Sequence, residues 1–251
     1  MARRVQNWHG RKETESMVIL GCDVSLEHCG FCFLNEDGKL LNYLYFTNNK
    51  KEWLADVSHS IFLGLKREKD ENLECYRVKR LSKITEKFQT ILDEIYKETR
   101  VYFVVEDYAY GAQSTALCQI AEFTGIVKNK MYDFGGYIRL YDPISTKFFS
   151  TGKGNATKTE MLAKAKENED FICNAPFKVV HKKEKPDDID GPLTDVVDSY
   201  FLAKLVWTEL KLRSGEIELK NLPEYQVLTF NRVTKSYPIN ILARDFIHKN
   251  D

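Results

Sequence analysis

Apolar runs at 17–23, 30–34 and 40–46 follow one another so closely, with turn residues between them, that each has room only for a strand. Glu36-Asp37-Gly38 supplies the turn before the third run, and the three together predict a meander. Further on the period changes. Residues 76–97 carry Val78, Leu81, Ile84, Phe88, Ile91 and Ile95 on one helical stripe, with charged residues opposite. The β-branched and aromatic run 101–105 reads as a buried strand. Gly111 opens a second helix, with Ser114 as cap and Leu117, Ile120, Ala121, Thr124, Gly125 and Val127 expected on its inner side. A fifth strand at 137–141 is closed by Asp142-Pro143. A glycine-containing loop at 151–155 precedes a helix at 157–166, and a polar loop through Pro186 and Asp190 leads to a helix at 193–210. This order predicts an α/β protein with a five-stranded mixed sheet and helices on both faces.

Composition adds limits. The 251 residues are 43% apolar, enough for one large core, and 37 basic residues balance 37 acidic ones, so net charge does not point to a polyanionic partner. Charge is nonetheless uneven: Lys147, Lys153, Lys158, Lys164, Lys166, Lys178, Lys182, Lys183 and Lys185 crowd one stretch, a candidate phosphate-facing surface. Residues 1–16, with Arg3, Arg4, Arg11 and Lys12, read as a flexible basic arm. The apolar run at 17–22 is too short for a signal sequence or a membrane span, and six irregularly spaced cysteines suit free thiols in a reducing compartment, so the cytosol is the expected location. Cys29 and Cys32 have no second metal-binding pair at zinc spacing and read as strand core. The predicted organisation is a basic arm at 1–16, a main domain at 17–210 with an inserted or mobile segment at 48–72, and a C-terminal extension at 211–251. The extension holds apolar runs at 226–230 and 239–243, which suit either a small subdomain or an oligomer contact.

Four carboxylates carry the chemistry. Asp23 and Glu106 each stand where an apolar strand run stops, and a charged group is costly to desolvate there unless it faces an opening or holds a cation. Asp195 and Asp198, three positions apart, share one helix face. Asp195 lies in the first turn and could serve only as an N-terminal charge; Asp198 is deeper, among Val196, Val197, Tyr200, Phe201 and Leu202, and needs a partner. Hard oxygen ligands without matching His or Cys suit Mg²⁺ or Mn²⁺. Two such ions per site, about 4 Å apart, can activate water and stabilise the leaving oxygen in phosphodiester hydrolysis.

At this point the order of motifs resembles that of the RuvC-like Holliday-junction resolvases of the ribonuclease H-like superfamily, in a divergent phage or viral form. The similarity covers roughly 17–205. Gly21-Cys22-Asp23-Val24-Ser25 resembles the family's first-strand Asp motif, Val104-Val105-Glu106 its strand-borne Glu, and 194–202 its closing helix with two Asp residues. Ser145-Thr146-Lys147 and the segment 151–158 resemble the stretch bearing two functional lysines. The resemblance implies a homodimeric crossover junction endodeoxyribonuclease that binds branched DNA. Asp23, Glu106, Asp195 and Asp198 would be its metal ligands, and Lys147 and Lys158 would lie beside the scissile phosphate. DNA contacts are expected at Tyr108, Tyr110, Gln113, Ser114, Lys147, Lys153 and Lys158. The family's junction-entering aromatic falls by counting on Ala109, so Tyr108 or Tyr110 would take its place by stacking on an opened base.

Other readings differ in class. A branch or flap nuclease would share the chemistry but not the substrate, and an inactive junction scaffold would not need all four carboxylates. A nucleotide-hydrolysing protein of the actin-like kind would need a glycine cradle that Asp23-Val24-Ser25-Leu26-Glu27 lacks.

Overall fold

The computed structural model describes residues 17–25, 28–47, 58–95, 99–108, 115–182 and 185–249. The basic arm expected at 1–16, and Tyr110, Gln113 and Ser114, lie outside these residues. Strands β1 (Met17–Val24), β2 (His28–Leu34) and β3 (Leu40–Thr47) form the expected antiparallel meander. A short β4 (Ser60–Phe62) pairs parallel with β3. On the other side of β1, β5 (Arg100–Glu106) and then β6 (Tyr137–Tyr141) join in parallel. The sheet order is β4-β3-β2-β1-β5-β6. This is the expected mixed sheet, an antiparallel meander continued by parallel strands, with one more strand than the five expected. Three residues in a charged stretch are too few to show alternation.

Side-chain parity divides the core in two. Val18, Leu20, Cys22, Phe31, Phe33, Val101, Phe103 and Val105 face α1 (Leu73–Ile95) and α2 (Thr115–Phe134). Ile84, Phe88, Ile91 and Leu92 come from α1, and Phe123, Val127 and Met131 from α2. Val78 and Gly125, expected inside, are exposed. Ile19, Cys32, Leu34, Tyr102 and Val104 face the opposite layer. That layer holds α3 (Pro143–Thr151), α4 (Lys158–Lys166), α5 (Pro192–Ser214) and α6 (Glu224–Asn231). Helix α5 is buried on almost every side, which accounts for its weak polar-apolar segregation.

Two further stretches depart from expectation. Residues 143–151 form α3, begun by Asp142 accepting from Ser145 N, with Pro143 in the first turn, and ended by Gly152 at φ 77°. The expected polar loop is a two-stranded hairpin of β7 (Lys178–Lys182) and β8 (Lys185–Asp190). The C-terminal segment packs on the sheet. Phe230, Ile241 and Phe246 enter the α5-side core, and Ile247 exchanges both backbone hydrogen bonds with Ile138, at 2.8 and 3.0 Å. A buried cluster fixes it: Glu209 accepts from Arg139 Nε (3.0 Å) and Nη2 (2.5 Å), Tyr141 Oη (2.6 Å) and Arg213 Nε (2.8 Å). The same arginines donate to the carbonyls of Ile241, Arg244 and Asp245. No helix among the described residues is long and apolar enough to cross a membrane.

Candidate active site

Parallel register brings the first two carboxylates together. Cys22 pairs with Val105, so Asp23 and Glu106 occupy the next position on adjacent strands, where neighbours lie about 4.8 Å apart, and parity turns both toward α5. What brings α5 close enough is the absence of side chains. A Cβ on Gly30 would lie 2.3 Å from the carbonyl of Asp195, and one on Gly21 would lie 1.9 Å from the carbonyl of Ser199. Cys32 Sγ donates to Val196 O at 3.2 Å along the same seam. Helix geometry then sets Asp198 one turn beyond Asp195. Asp23 and Asp198 are buried, 8% and 5% exposed, although both are carboxylates.

The cluster opposes its own ionisation. Burial raises the Asp23 carboxyl above the ordinary range, and Lys158 pulls it back. Burial, then the neighbouring Asp23 charge, hold Glu106 up to about 8, while Lys158 and Lys147 counter them. Asp195 is pushed well above its ordinary value by burial and then by Asp23, with Lys158 again opposing. One ammonium therefore acts on three carboxyls, and it makes a direct ion pair with the fourth, Asp198. Its position is fixed locally: Lys158 is the first residue of α4, whose start is closed by a capping box. There Thr157 Oγ1 accepts from Glu160 N (3.1 Å) and Glu160 accepts from Thr157 N (2.8 Å).

Asp195 Oδ2 is buried and has no hydrogen-bond partner among the described residues. Oδ1 lies 3.4 Å from Thr194 Oγ1, and α5 has no side-chain cap. An orphaned carboxylate oxygen among mutually repelling acids is a donor set suited to a hard divalent cation such as Mg²⁺ or Mn²⁺. Asp23, Glu106, Asp195 and Asp198 are the residues that could hold it. Among the described residues no group of three or more His, Cys, Asp or Glu side chains is placed, as the side chains stand, so that it could hold a metal ion. With the side chains as they stand, the cationic place is taken by Lys158.

The other expected residues are distributed unevenly. Lys147 lies half-buried on α3 within electrostatic reach of Glu106. Lys153 is exposed and pairs with Glu160 at 2.7 Å. Tyr108 is strapped to α2, donating to Ala121 O (3.3 Å) and accepting from Lys128 Nζ (3.2 Å), whose ammonium lies 4.8 Å from its ring centre. Two acids not anticipated also border the site. Asp142, at the end of β6, raises Glu106, and Asp190, at the end of β8, raises Asp195. Asp142 had a signal, since an Asp-Pro closing an apolar run marks both a strand end and a helix cap.

No protein-family model and no curated protein matches this sequence. Among solved structures, the chain is similar to Thermus thermophilus RuvC, with 17% identity and a TM-score of 0.48 over 79% of this chain and 97% of that one. It is also similar to T. thermophilus RuvC in complex with a Holliday junction substrate, with 17% identity and a TM-score of 0.46 over 74% of this chain and 90% of that one.

Proposed function

We propose that this protein is a metal-dependent endodeoxyribonuclease that resolves four-way DNA junctions by hydrolysing phosphodiester bonds. The observation that carries the hydrolytic part is the set Asp23, Glu106 and Asp195. Two adjacent strand ends and one facing helix deliver them, each is destabilised as an anion by burial, and one oxygen of Asp195 has no hydrogen-bond partner among the described residues. Four-way junctions as substrate, and a homodimer making paired cuts, rest on the motif order from Asp23 through Lys147 and Lys158 to Asp198.

On this reading residues 17–210 are the nuclease domain and 211–251 an appended segment that supports it. Mg²⁺ or Mn²⁺ held by the four carboxylates would supply an activated water and charge stabilisation on the leaving oxygen. The chain's own contribution is placement and charge. Gly21 and Gly30 set α5 against the strand ends, so the carboxylates stand pre-positioned. Lys147 and Lys158 bring cations to where the phosphodiester gains negative charge.

The test is a synthetic four-way junction incubated with and without Mg²⁺, beside three-way, flap and linear duplex DNA. Metal-dependent, symmetric cuts on the four-way substrate alone are expected, and Asp23→Asn and Asp198→Asn proteins should be inactive. Retained cleavage by either variant would remove the assignment. Equal cleavage of flaps would replace junction resolution with general branch trimming, and tight junction binding without any nicking would make the protein a scaffold.

A further inference from the structure

The C-terminal segment places two arginines in a cleft with Asp142, whose charge reaches Glu106. A narrow cleft at the end of β6 is lined by Asp142, Ser145, Arg232, Thr234, Tyr237 and Arg244. It adjoins the candidate active site: Tyr141 pairs with Glu106 in the sheet, and the charge of Asp142 is felt by Glu106. The acids near the cleft are already committed. Asp142 accepts from Ser145 N (2.9 Å) and Oγ (2.6 Å) and lies 3.6 Å from Arg232 Nη1. Asp107 accepts the hydroxyl of Tyr237.

Arg244 is the unbalanced group. Its guanidinium stacks on the Tyr237 ring at 4.1 Å, and its Nε is buried without a hydrogen-bond partner among the described residues. The strongest charge acting on it is the like-charged Arg139, and burial and that repulsion both depress its pKa. A half-buried guanidinium in this condition is stabilised by an incoming anion. The backbone that carries it is rigid, because Arg139 and Arg213, both paired with Glu209, donate to the Arg244 carbonyl. With Asp142 offset by Arg232, the cleft keeps an excess positive charge and offers the hydroxyl of Thr234, those of Ser145 and Tyr237 being donated to Asp142 and Asp107.

We propose that Arg232 and Arg244 form a phosphodiester-binding subsite that takes a backbone phosphate neighbouring the one at the carboxylates. This rests on the nuclease reading, and it gives the appended segment a part in gripping the nucleic acid. A planar guanidinium fork matches a phosphate better than an ammonium does.

The test measures fluorescence-anisotropy binding of a labelled four-way junction in EDTA across a salt series, using the full chain. Arg244→Gln and, independently, Arg232→Gln should each weaken binding roughly ten- to hundredfold and flatten the log Kd against log salt slope by about 0.9, the loss of one phosphate contact. Arg244→Lys should keep the slope and part of the affinity. Wild-type slope and affinity in both Gln variants would overturn the subsite. Should Arg244→Gln fail to fold, Arg232→Gln decides alone. If wild-type protein binds no DNA, the nuclease reading fails first, and inorganic phosphate then decides the subsite. A phosphate-induced rise in Tm that shrinks in Arg232→Gln or Arg244→Gln upholds it; a rise equal in all proteins, or none, overturns it.

Discussion

Replacing Gly30 by alanine should move a helix by adding one methyl group. The new Cβ would stand 2.3 Å from both C and O of Asp195 and 2.6 Å from Val196 N, where ordinary contact begins at 3.4 Å. The atoms met are helix backbone, so no side chain can swing away, and β2 and α5 must part by the difference, about 1.1 Å. Overpacking of this kind costs about 1–3 kcal/mol, and a clash with main chain belongs at the upper end. At roughly 2–4 °C per kcal/mol for a chain this long, the Tm should fall by about 6–12 °C. The same displacement carries Asp195 away from Asp23, and a misplacement near 1 Å can cost about 100-fold in rate. Gly125→Ala is the matched control: that helical glycine is exposed, nothing lies within 4 Å of where its methyl would stand, and the change should stabilise by about 0.5–1 kcal/mol. Urea unfolding and junction cleavage would be measured on both. Stability of Gly30→Ala within about 0.5 kcal/mol of wild type, or equal losses in the two variants, would refute the close-approach reasoning.

Because Glu106 titrates near 8 when folded and near 4.5 otherwise, the stability it contributes is complete below about 4.5 and is lost as pH rises toward 8. In EDTA the protein should lose on the order of a few kcal/mol across that window, Glu106→Gln should flatten the loss, and pH-dependent urea unfolding would read it. Lys158→Gln removes the ammonium shared by the carboxylates; calorimetry should show Mg²⁺ binding about tenfold tighter, or ~1.4 kcal/mol, while junction cleavage falls. Glu209→Gln leaves Arg139 buried and without its carboxylate partner, so unfolding free energy should drop by about 3–5 kcal/mol. Faster proteolysis of the C-terminal segment should accompany that drop.

How much of this was legible depends on whether a residue's reason is local. Asp23 and Glu106 could be found because an apolar run that ends on a charge is unusual in itself, and parity then sends both to one face. Asp195 and Asp198 could be found because helical spacing is readable. Gly21 and Gly30 could not, since their role is the lack of a Cβ where α5 passes, and α5 is over 160 residues away along the chain. Gly125 misled for the same reason: a small residue in a helix suggests close packing, yet among the described residues nothing comes within 4 Å of where its Cβ would stand. The pairing of Lys158 with Asp198 spans 40 positions and left no pattern beyond the resemblance. Helix α3 was within reach, as Asp142, Pro143 and Gly152 are ordinary start and stop signals around a short apolar stretch. The β7 and β8 pairing was not, because a charged stretch around Lys182 and Lys185 without a turn glycine reads as a polar loop.

Asp195 tests which of two effects prevails at the start of α5. Its place in the first turn gives it the favourable end of the helix dipole, worth about 0.3–1 kcal/mol at an exposed site and up to about 2 in partly buried geometry. Were that its purpose, the side chain would cap a backbone N–H and its carboxyl would sit below the ordinary range. Neither holds: α5 carries no side-chain cap, Oδ2 has no hydrogen-bond partner among the described residues, and burial together with Asp23 lifts the group well above its usual value. Desolvation and like charge therefore outweigh the dipole. A carboxylate kept in that condition does nothing for the stability of its own helix, and that cost is intelligible once a cation from outside the fold is expected at the same place.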